Sequence, residues 1–444
     1  MADSALETIK SLLEEFLRSG IYRLDSANAV FLDPVRVLNR SYSHSRVSPS
    51  AYYSRFFAEA DHVAGEGEER EIEDSGNSGK RKRKRKRKRN KPFALNDKEL
   101  IAVLRHQEAR PLLLRAYEAL LSAGKLLQVM RGLRSGSSRC LQTCNTSREA
   151  GYSFIDFGKI WQAPFYEITL KFRASDEGNR DEGLPPIQDD EIVEVPMFCN
   201  FVSNNTKADI EAEFLGVEYI LPRQSCFYMS DLEKIHDLIP GNSDCGFNLI
   251  VLDPPWENRS ALQKSSYPTL PNRHFLKLPV MQLAHTDGAL VALWVTNREK
   301  LRSFVENELF PVWGVTYITT YYWMKVKADG SFICDLDLFH HRPYECLLLG
   351  YLSKKVIDQE CLSLTKYLKD HRVIISIPGD YSRKPPVGEL LLEYAPGPRP
   401  ARCIELFARD MMAGWTSWGN EPLHFQQTQY FLKEGTDDCV LSKD

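Results

Sequence analysis

The chain has 444 residues, of which 43% are hydrophobic and 26% charged, so it is long enough for two or three domains with cores of their own. Its 57 basic and 60 acidic residues give a formal net charge of −3, but eleven of the basic residues are concentrated in Lys80–Arg89 and at Lys91. The rest of the chain has 46 basic and 60 acidic residues, and this acidic excess argues against a protein that binds nucleic acid over its whole surface.

Membrane, secreted and metal-stabilised proteins fit the sequence poorly. No segment approaches the roughly 20 apolar residues of a membrane span, and the first residues lack the basic start of a signal peptide. The ten cysteines are scattered without a CxxC pair, and only Cys140 and Cys144 lie close together. We therefore expect a soluble intracellular protein with reduced thiols, no membrane contact and no metal.

The N-terminal residues, 1–58, are predicted to be an ordered helical segment. Ser4 and Glu7 form a capping-box pattern, and apolar residues at helical spacing predict an amphipathic helix that ends near Gly20. Residues 59–92 are acidic, then Gly/Ser-rich, then basic, which predicts a disordered linker. The tract Lys80–Arg89 is typical of a nuclear localisation signal read by an import receptor, with nucleic-acid tethering or a solvated linker as alternatives.

Residues 93–215 are predicted to form an accessory α+β domain. Apolar residues from Leu100 to Met130 predict two or three helices that break near Pro111 and Gly124. Aromatic and β-branched residues predict strands over 154–172, and the charged stretch 174–190 is expected to be mobile.

From residue 216 to 430 the pattern changes to short apolar strands that alternate with helices, and a tail follows over 431–444. Alternation of this kind predicts an α/β domain with a doubly wound, mostly parallel sheet. The predicted strands are Phe247–Leu252, Ala289–Val295, Thr316–Met324, Glu345–Leu349, Val373–Ile377 and Cys403–Phe407.

The tetrapeptide Asp253-Pro254-Pro255-Trp256 directly follows the first of these strands. An exocyclic amine on adenine is a poor nucleophile, and Asp253 and the Pro254 carbonyl can each accept one of its N–H groups. Trp256 offers a flat face for the base, where stacking contributes roughly 1–3 kcal/mol. The alternative is a chance turn that caps a buried strand, but the carboxyl end of such a strand is where open α/β sheets bind ligands.

Six motifs in order resemble those of the MT-A70 family of adenine-N6 methyltransferases, over about the last 220 residues. They are Asp253-Pro254-Pro255-Trp256, Leu293-Trp294-Val295-Thr296, Trp323-Met324-Lys325, Ser382-Arg383-Lys384-Pro385, Ile404-Glu405-Leu406-Phe407-Ala408-Arg409 and Trp418-Gly419-Asn420. The N-terminal part is most similar to the plant-type methyltransferase-like protein four branch. The resemblance implies a Rossmann-like methyltransferase domain in the permuted, β-class order, in which the cofactor strand follows the catalytic motif.

The resemblance also implies a site for S-adenosylmethionine. Lys384 is expected at the cofactor carboxylate, where a cation makes a charge-assisted bond, and Arg409 and Asn420 at its ribose. Asp410-Met411-Met412 replaces a polar pair of the family, and Asp410 is a substitute ribose ligand. The full set of cofactor residues implied is Cys226, Phe227, Tyr228, Asp253, Lys384, Phe407, Arg409, Asn420 and Glu421.

Two loops are predicted to shape the substrate pocket, 257–278 and 325–345. Basic residues interleaved with aromatics suit a nucleic-acid strand from which one base is extracted and stacked. A metal site at His340-His341 is disfavoured because adjacent side chains point apart. The predicted substrate residues are Lys264, Tyr267, Arg273, Lys325, His341, Arg342 and Glu345, with ordinary loop packing as the alternative for each tyrosine.

Four functions remain to be weighed. The first is a nuclear RNA adenine-N6 methyltransferase, for which the branch implies an internal 2′-O-methyladenosine of small nuclear RNA and the product N6,2′-O-dimethyladenosine. The second is a DNA adenine-N6 methyltransferase with the same motifs. An inactive RNA-binding scaffold is disfavoured because both Asp253 and Trp256 are present, and a protein glutamine methyltransferase because those enzymes usually carry Asn in place of Asp253.

Overall fold

The computed structural model describes residues 2–54, 96–133, 154, 168–173, 192–257, 269–339, 341–353, 368, 372–379 and 383–432. The predicted linker and its basic tract Lys80–Arg89, the stretch 174–190, and Lys264, Tyr267 and His340 lie outside these residues.

The chain opens with helix α1, Ala2–Ser19, as predicted. Gly20 ends it with a φ of +77°, a left-handed conformation that favours glycine, and its N–H donates to the Phe16 carbonyl at 2.7 Å. Two short helices follow, α2 at Pro34–Asn39 and α3 at Pro49–Tyr52.

The accessory region contains helices α4, Asp97–Ser122, and α5, Gly124–Gly132. The predicted break near Gly124 is confirmed, but the one near Pro111 is wrong because α4 runs through that residue without interruption. An interior proline costs about 3 kcal/mol in lost hydrogen bonding and crowding. Ala109 and Leu113 are almost fully buried on either side of it, so tertiary packing outweighs the local preference.

Eleven strands form one large sheet in the order β1-β2-β13-β11-β12-β10-β9-β14-β15-β8-β5. Six neighbour pairs are parallel and four antiparallel, so the sheet is mixed but mostly parallel. The strands are β1 Ile21–Leu24, β2 Ala29–Leu32, β5 Phe201–Asn204, β8 Ser225–Met229, β9 Leu249–Leu252, β10 Ala289–Val295, β11 Val315–Lys325, β12 Tyr344–Leu352, β13 Val373–Ser376, β14 Cys403–Leu406 and β15 Trp415–Gly419.

All six strands predicted after residue 216 are present, with ends shifted by at most a few residues. Three of them, β9, β10 and β13, are recognisable in the sequence because they are buried throughout and consist largely of continuous apolar runs. The short helices between them include Val280–Leu283, Glu299–Phe304, Phe310–Trp313 and Gly388–Leu392. The α/β, Rossmann-like fold class is confirmed.

The large sheet uses residues from both sides of the predicted boundary at 216. Strands β1 and β2 extend it at one edge through the parallel pair β2–β13, and β5 ends it at the other. A separate antiparallel sheet has the order β4-β3-β6-β7, formed by Thr169–Arg173 (β3), Ile192–Pro196 (β4), Ile210–Phe214 (β6) and Val217–Leu221 (β7). Phe154, at which the sequence predicts a strand, is helical. The division into domains stays a prediction.

The topology places a crevice at the end of β9. This strand pairs with β10 on one side and with β14 on the other, both in parallel, so the connections leave it in opposite directions. Such a switch point, at the carboxyl ends of the strands, is where open α/β sheets bind ligands. Among the described residues, no helix has the length and apolar character needed to cross a membrane.

Candidate active site

Asp253 is the first residue after β9, at the switch point of the sheet. Its backbone N–H donates to the carbonyl of Leu406, the last residue of β14, at 3.3 Å. The two strand ends are therefore joined at the crevice, and the Asp253 carboxylate is only partly exposed there.

Two cations flank the Asp253 carboxylate. Lys384 Nζ lies 3.1 Å from Oδ1, and Arg409 Nη2 lies 3.6 Å from Oδ2. Lys384 also contacts Glu345 at 3.3 Å, and Lys325 pairs with the same glutamate. These five residues, which come from five separate segments of the sequence, form one continuous ion cluster.

The charges of the cluster stabilise one another. Burial by itself would raise the pKa of the Glu345 carboxyl, but the ammonium groups of Lys325 and Lys384 outweigh it and lower that pKa to about 2. Burial disfavours the charged form of Lys384, yet the carboxylates of Asp253 and Glu345 raise its pKa above the usual value. The cluster therefore holds three cations and two carboxylates, an excess of one positive charge.

Glu405, in β14 beside β9, behaves in the opposite way. Burial, together with the negative charges of Asp410 and Asp253, raises the pKa of its carboxyl to about 8, against the attraction of Arg409 and Lys384. Its side chain makes no hydrogen bond or ion pair with any residue that the structure describes. At neutral pH the Glu405 carboxyl is therefore mostly protonated.

The two prolines and Trp256 are held by hydrogen bonds. The Pro254 carbonyl accepts from the Trp256 N–H at 2.7 Å and the Pro255 carbonyl from the Leu270 N–H at 3.0 Å. Each carbonyl oxygen has a second lone pair, so Pro254 can still accept an amine. The Trp256 indole is only 6% exposed, and its Nε1 donates to the Trp294 carbonyl at 2.8 Å. It thus packs as part of the core and does not stand as an open face.

Phe407 makes the turn after β14 with a φ of +63°, which is uncommon for a non-glycine residue and typical of functional sites. Its ring packs edge-on against Phe275 and Trp418 at centroid distances of 5.6 and 5.1 Å. A Cβ at Gly419 would come within 3.2 Å of the Phe407 Cα, a tight contact, so glycine allows β15 to approach this turn closely.

Arg383, next to Lys384, is nearly buried and holds the far side of the crevice. It makes two bonds to the Asp410 carboxylate, one from Nε at 2.8 Å. Its guanidinium lies between the rings of Tyr52 and Phe425, at 4.4 and 4.0 Å from their centroids. Asp410, expected as a ribose ligand, is instead engaged by Arg383.

The remaining predicted cofactor residues lie at the β8–β15 side of the crevice. Phe227 and Tyr228 are buried in β8, and the Tyr228 hydroxyl donates to Asp237 at 2.7 Å, so only Cys226 is partly accessible. Asn420 follows β15 and is exposed, and burial raises the pKa of the neighbouring Glu421 carboxyl against the attraction of Arg409. Their role in cofactor binding stays a prediction.

Of the predicted substrate residues that the structure describes, two belong to the ion cluster and three lie outside it. Lys325 and Glu345 belong to the ion cluster. Arg273 is exposed and pairs with Glu308 at 3.2 Å, and His341 is exposed with a φ of +62°. Arg342 donates to the carbonyls of Leu338 and Ala102, so it ties its own loop to α4.

Sequence reasoning did not single out three positions whose burial or contacts place them in or next to the candidate site. Glu405 and Arg383 lie inside the quoted motifs, but nothing in their local sequence predicts their charge state or partners. His106 of α4 was not singled out, although it is 7% exposed and bonded at both ring nitrogens. The signal for His106 exists only in three dimensions.

The site fits S-adenosylmethionine. The positive excess of the ion cluster suits the carboxylate of an amino acid, and the Phe407 turn between β14 and β15 gives an apolar wall at the switch point. Within the described residues, no group of three or more His, Cys, Asp or Glu side chains is arranged to hold a metal ion.

Comparison with known proteins points to the same chemistry. The MT-A70 family profile matches residues 247–421. The mouse protein named N(6)-adenine-specific methyltransferase METTL4 is 33% identical over 354 residues, which are 76% of this chain and 70% of the relative. The N6-methyladenosine RNA methyltransferase MTA1 of Pyricularia oryzae is 31% identical over 52% of the chain and 61% of its own length. The DNA N6-methyl methyltransferase of Caenorhabditis elegans is 30% identical over 49% and 57%.

Proposed function

The chain belongs to the MT-A70 family and is an S-adenosylmethionine-dependent adenine-N6 methyltransferase of nucleic acid, and we propose that its substrate is nuclear RNA. The finer proposal is an internal 2′-O-methyladenosine of small nuclear RNA, converted to N6,2′-O-dimethyladenosine. It is supported by the resemblance to the methyltransferase-like protein four branch and by the relative from Pyricularia oryzae, whose name specifies RNA.

One observation carries the assignment of the active site. The Asp253 carboxylate lies at the switch point, between Lys384 and Arg409 and beside the Pro254 carbonyl. We propose that Asp253 accepts one N–H of the target amine and the free lone pair of Pro254 the other, which favours a tetrahedral, nucleophilic nitrogen. Bound S-adenosylmethionine supplies an electrophilic methyl group. The nitrogen–carbon bond forms as the carbon–sulfur bond of the donor breaks, with its electron pair left on sulfur; the amine then loses one proton, and Asp253 is the carboxylate placed to receive it.

The proposed cofactor ligands and nucleic-acid ligands meet at Glu345. Lys384, proposed for the cofactor carboxylate, and Lys325, proposed for the substrate, both contact this one side chain. Arg342 also lines a cavity of about 240 Å³ between α4 and strands β11 and β12, together with Tyr322 and Tyr344. Cations and aromatic rings of this kind suit the phosphates and bases of a single strand.

DNA is the second candidate substrate, because the relative from Caenorhabditis elegans is named for DNA. The deciding experiment incubates the full chain with isotope-labelled S-adenosylmethionine and matched RNA and DNA oligonucleotides, the RNA carrying either adenosine or 2′-O-methyladenosine at one site. Mass spectrometry of the nucleosides should find label in RNA, with preference for the 2′-O-methylated site. Label confined to DNA would refute the RNA proposal and leave the enzyme class intact.

The substitution Asp253→Ala, compared with Lys384→Ala, tests the assignment of the active site. We expect methyl transfer to be abolished, while calorimetry shows affinity for S-adenosylhomocysteine within a few-fold of the unaltered protein, since the carboxylate acts mainly on the target amine. Lys384→Ala should instead weaken binding of that ligand. Undiminished turnover in Asp253→Ala would show that the active site lies elsewhere.

Nuclear location is proposed from the tract Lys80–Arg89, which an import receptor would bind. Deletion of the tract should move the protein to the cytoplasm, whereas turnover on a short oligonucleotide should change little. Any loss of affinity for long RNA should be confined to low salt, because a basic tail binds phosphates by counterion release. A variant that stays nuclear but loses most of its turnover would place the tract in the substrate groove.

A further inference from the structure

Helix α4 contacts the loop between β11 and β12, which the structure describes at 326–339 and 341–343. His106 is the centre of this contact. Its Nδ1 lies 3.0 Å from the Tyr344 hydroxyl, and its Nε2 lies 3.0 Å from Asp337 Oδ1. Arg110, one turn further along α4, makes two bonds to the same aspartate, at 2.8 and 2.9 Å.

The protonation states of Asp337 and His106 determine which group donates and which accepts each hydrogen bond of this contact. Hydrogen bonds from Arg110 and His106 lower the pKa of the Asp337 carboxyl far below its usual value, so the aspartate is an acceptor. Burial lowers the pKa of His106 despite that neighbour, so the imidazole is neutral. The Nε2–H then donates to Asp337, and Nδ1 accepts from the Tyr344 hydroxyl.

Further contacts bind the same face of the helix to the loop. Ala102 receives the bond from Arg342, and the Tyr117 ring stacks on Phe332 at 4.3 Å. Because 102, 106 and 110 are spaced by four residues, these groups lie along one side of α4. At Gly330, a Cβ would come within 2.6 Å of Leu127, so the loop lies directly against α5 as well.

The contact reaches the ion cluster through the chain itself. Tyr344 is followed directly by Glu345, which holds Lys325 and Lys384, and Lys384 contacts Asp253. The Tyr344 ring is 3% exposed and its backbone carbonyl accepts from Asn297. A shift of Tyr344 would therefore move the carboxylate that orients Lys325, whereas Lys384 is also held by Asp253.

We propose that His106 is a positioning residue for methyl transfer: by holding Tyr344 and Asp337 together, helix α4 fixes the β11–β12 loop and Glu345 in the arrangement that the nucleic-acid substrate requires. This inference rests on the proposed function, since it assigns the loop to substrate binding. It gives the accessory region a part in turnover on nucleic acid.

The test compares His106→Ala with Arg36→Ala. Arg36 lies in α2, pairs with the buried Asp33 at 3.0 Å and donates to the Leu17 carbonyl, so its contacts are with the N-terminal segment and not with the β11–β12 loop. Turnover on the RNA oligonucleotide, affinity for S-adenosylhomocysteine and hydrogen exchange are measured for both. We expect His106→Ala to lower kcat/KM for RNA by roughly tenfold, as for the loss of about 1.4 kcal/mol of transition-state stabilisation, with ligand affinity within twofold.

Two further measurements distinguish a positioning role of His106 from a general loss of stability. Amide exchange in His106→Ala should accelerate in the β11–β12 loop and not in β10. In the double variant, Tyr344→Phe should add little to the loss of kcat/KM caused by His106→Ala, because both substitutions remove the same hydrogen bond. Arg36→Ala should keep kcat/KM within about twofold at a comparable loss of stability. Activity that falls in proportion to stability in both variants, or exchange unchanged in the loop of His106→Ala, would overturn the inference. If the unaltered chain methylates no nucleic acid, the proposed function fails, and the exchange data still decide whether His106 holds the loop.

Discussion

Two regions that precede the family motifs, the N-terminal segment and helix α4, pack against residues in or next to the proposed active site, and the ion pairs at the two contacts differ in exposure. On one side, Tyr52 of the N-terminal segment packs on Arg383, whose guanidinium is bound to Asp410; we call this set the N-terminal brace. On the other side, His106 and Arg110 of α4 hold Asp337 of the β11–β12 loop; we call this set the α4 clamp. The Arg383 side chain is 4% exposed, whereas those of Arg110 and Asp337 are 44% and 50% exposed.

The difference in exposure determines how much each ion pair contributes to the stability of the fold. Removing one partner of a buried pair leaves a charge without compensation, while an exposed pair is replaced by water at little cost. The N-terminal brace therefore stabilises the fold itself. The α4 clamp, whose ion pair is open to water, has its main effect on the position of the loop, with the buried His106 as its specific element.

The largest effect that this comparison predicts is for Arg383→Ala. Loss of the guanidinium leaves Asp410 unpaired and empties the space between Tyr52 and Phe425, so we expect the free energy of unfolding to fall by about 3–5 kcal/mol. Denaturant unfolding measures it. Arg383→Lys should lie between this variant and the unaltered protein because lysine keeps the charge but loses the two-bond geometry. A stability equal to that of the unaltered chain would show that the brace is not structural.

A second prediction concerns Glu405, on the buried side of the site. Its pKa is about 8 in the folded protein against an ordinary 4.5, so between these values the folded state binds one proton more than the unfolded state. Stability should therefore fall as pH rises through this window, by up to about 1.4 kcal/mol per pH unit from this group.

Glu405→Gln, which resembles the protonated side chain in shape, should remove that part of the pH dependence. Denaturation midpoints between pH 5 and pH 9, within and just above the window that begins at about 4.5 and ends at about 8, provide the measurement. The same slope in both proteins would mean that Glu405 is ionised in the fold.

The smallest effect is predicted for Arg110→Ala. Because Arg110 is exposed and His106 keeps its own bond to Asp337, the denaturation midpoint should remain close to that of the unaltered protein. Arg110→Ala removes an arginine from an exposed ion pair, and Arg383→Ala removes one from a buried ion pair, so the two variants are measured side by side. A loss as large as that of Arg383→Ala would remove the distinction between the two regions.

Much of the fold was predictable because local patterns are sufficient for it. Buried parallel strands require continuous apolar runs, and β9, β10 and β14 are such runs. The position of Asp253 at a strand end was likewise visible. Pro111 shows where this reasoning fails, because local preference predicts a break that burial of Ala109 and Leu113 overrides.

The sequence by itself determined the alternation of strands and helices, the proposed catalytic motif and the family. Tertiary structure decided which charged groups meet, because interaction energy depends on distance and burial and not on separation along the chain. His106 and Asp337 are 231 positions apart, yet their atoms lie 3.0 Å from each other. Glu345 and Glu405 are the same residue type with pKa values of about 2 and about 8, since two lysines pair with the first, while no lysine in the described part of the chain pairs with the second.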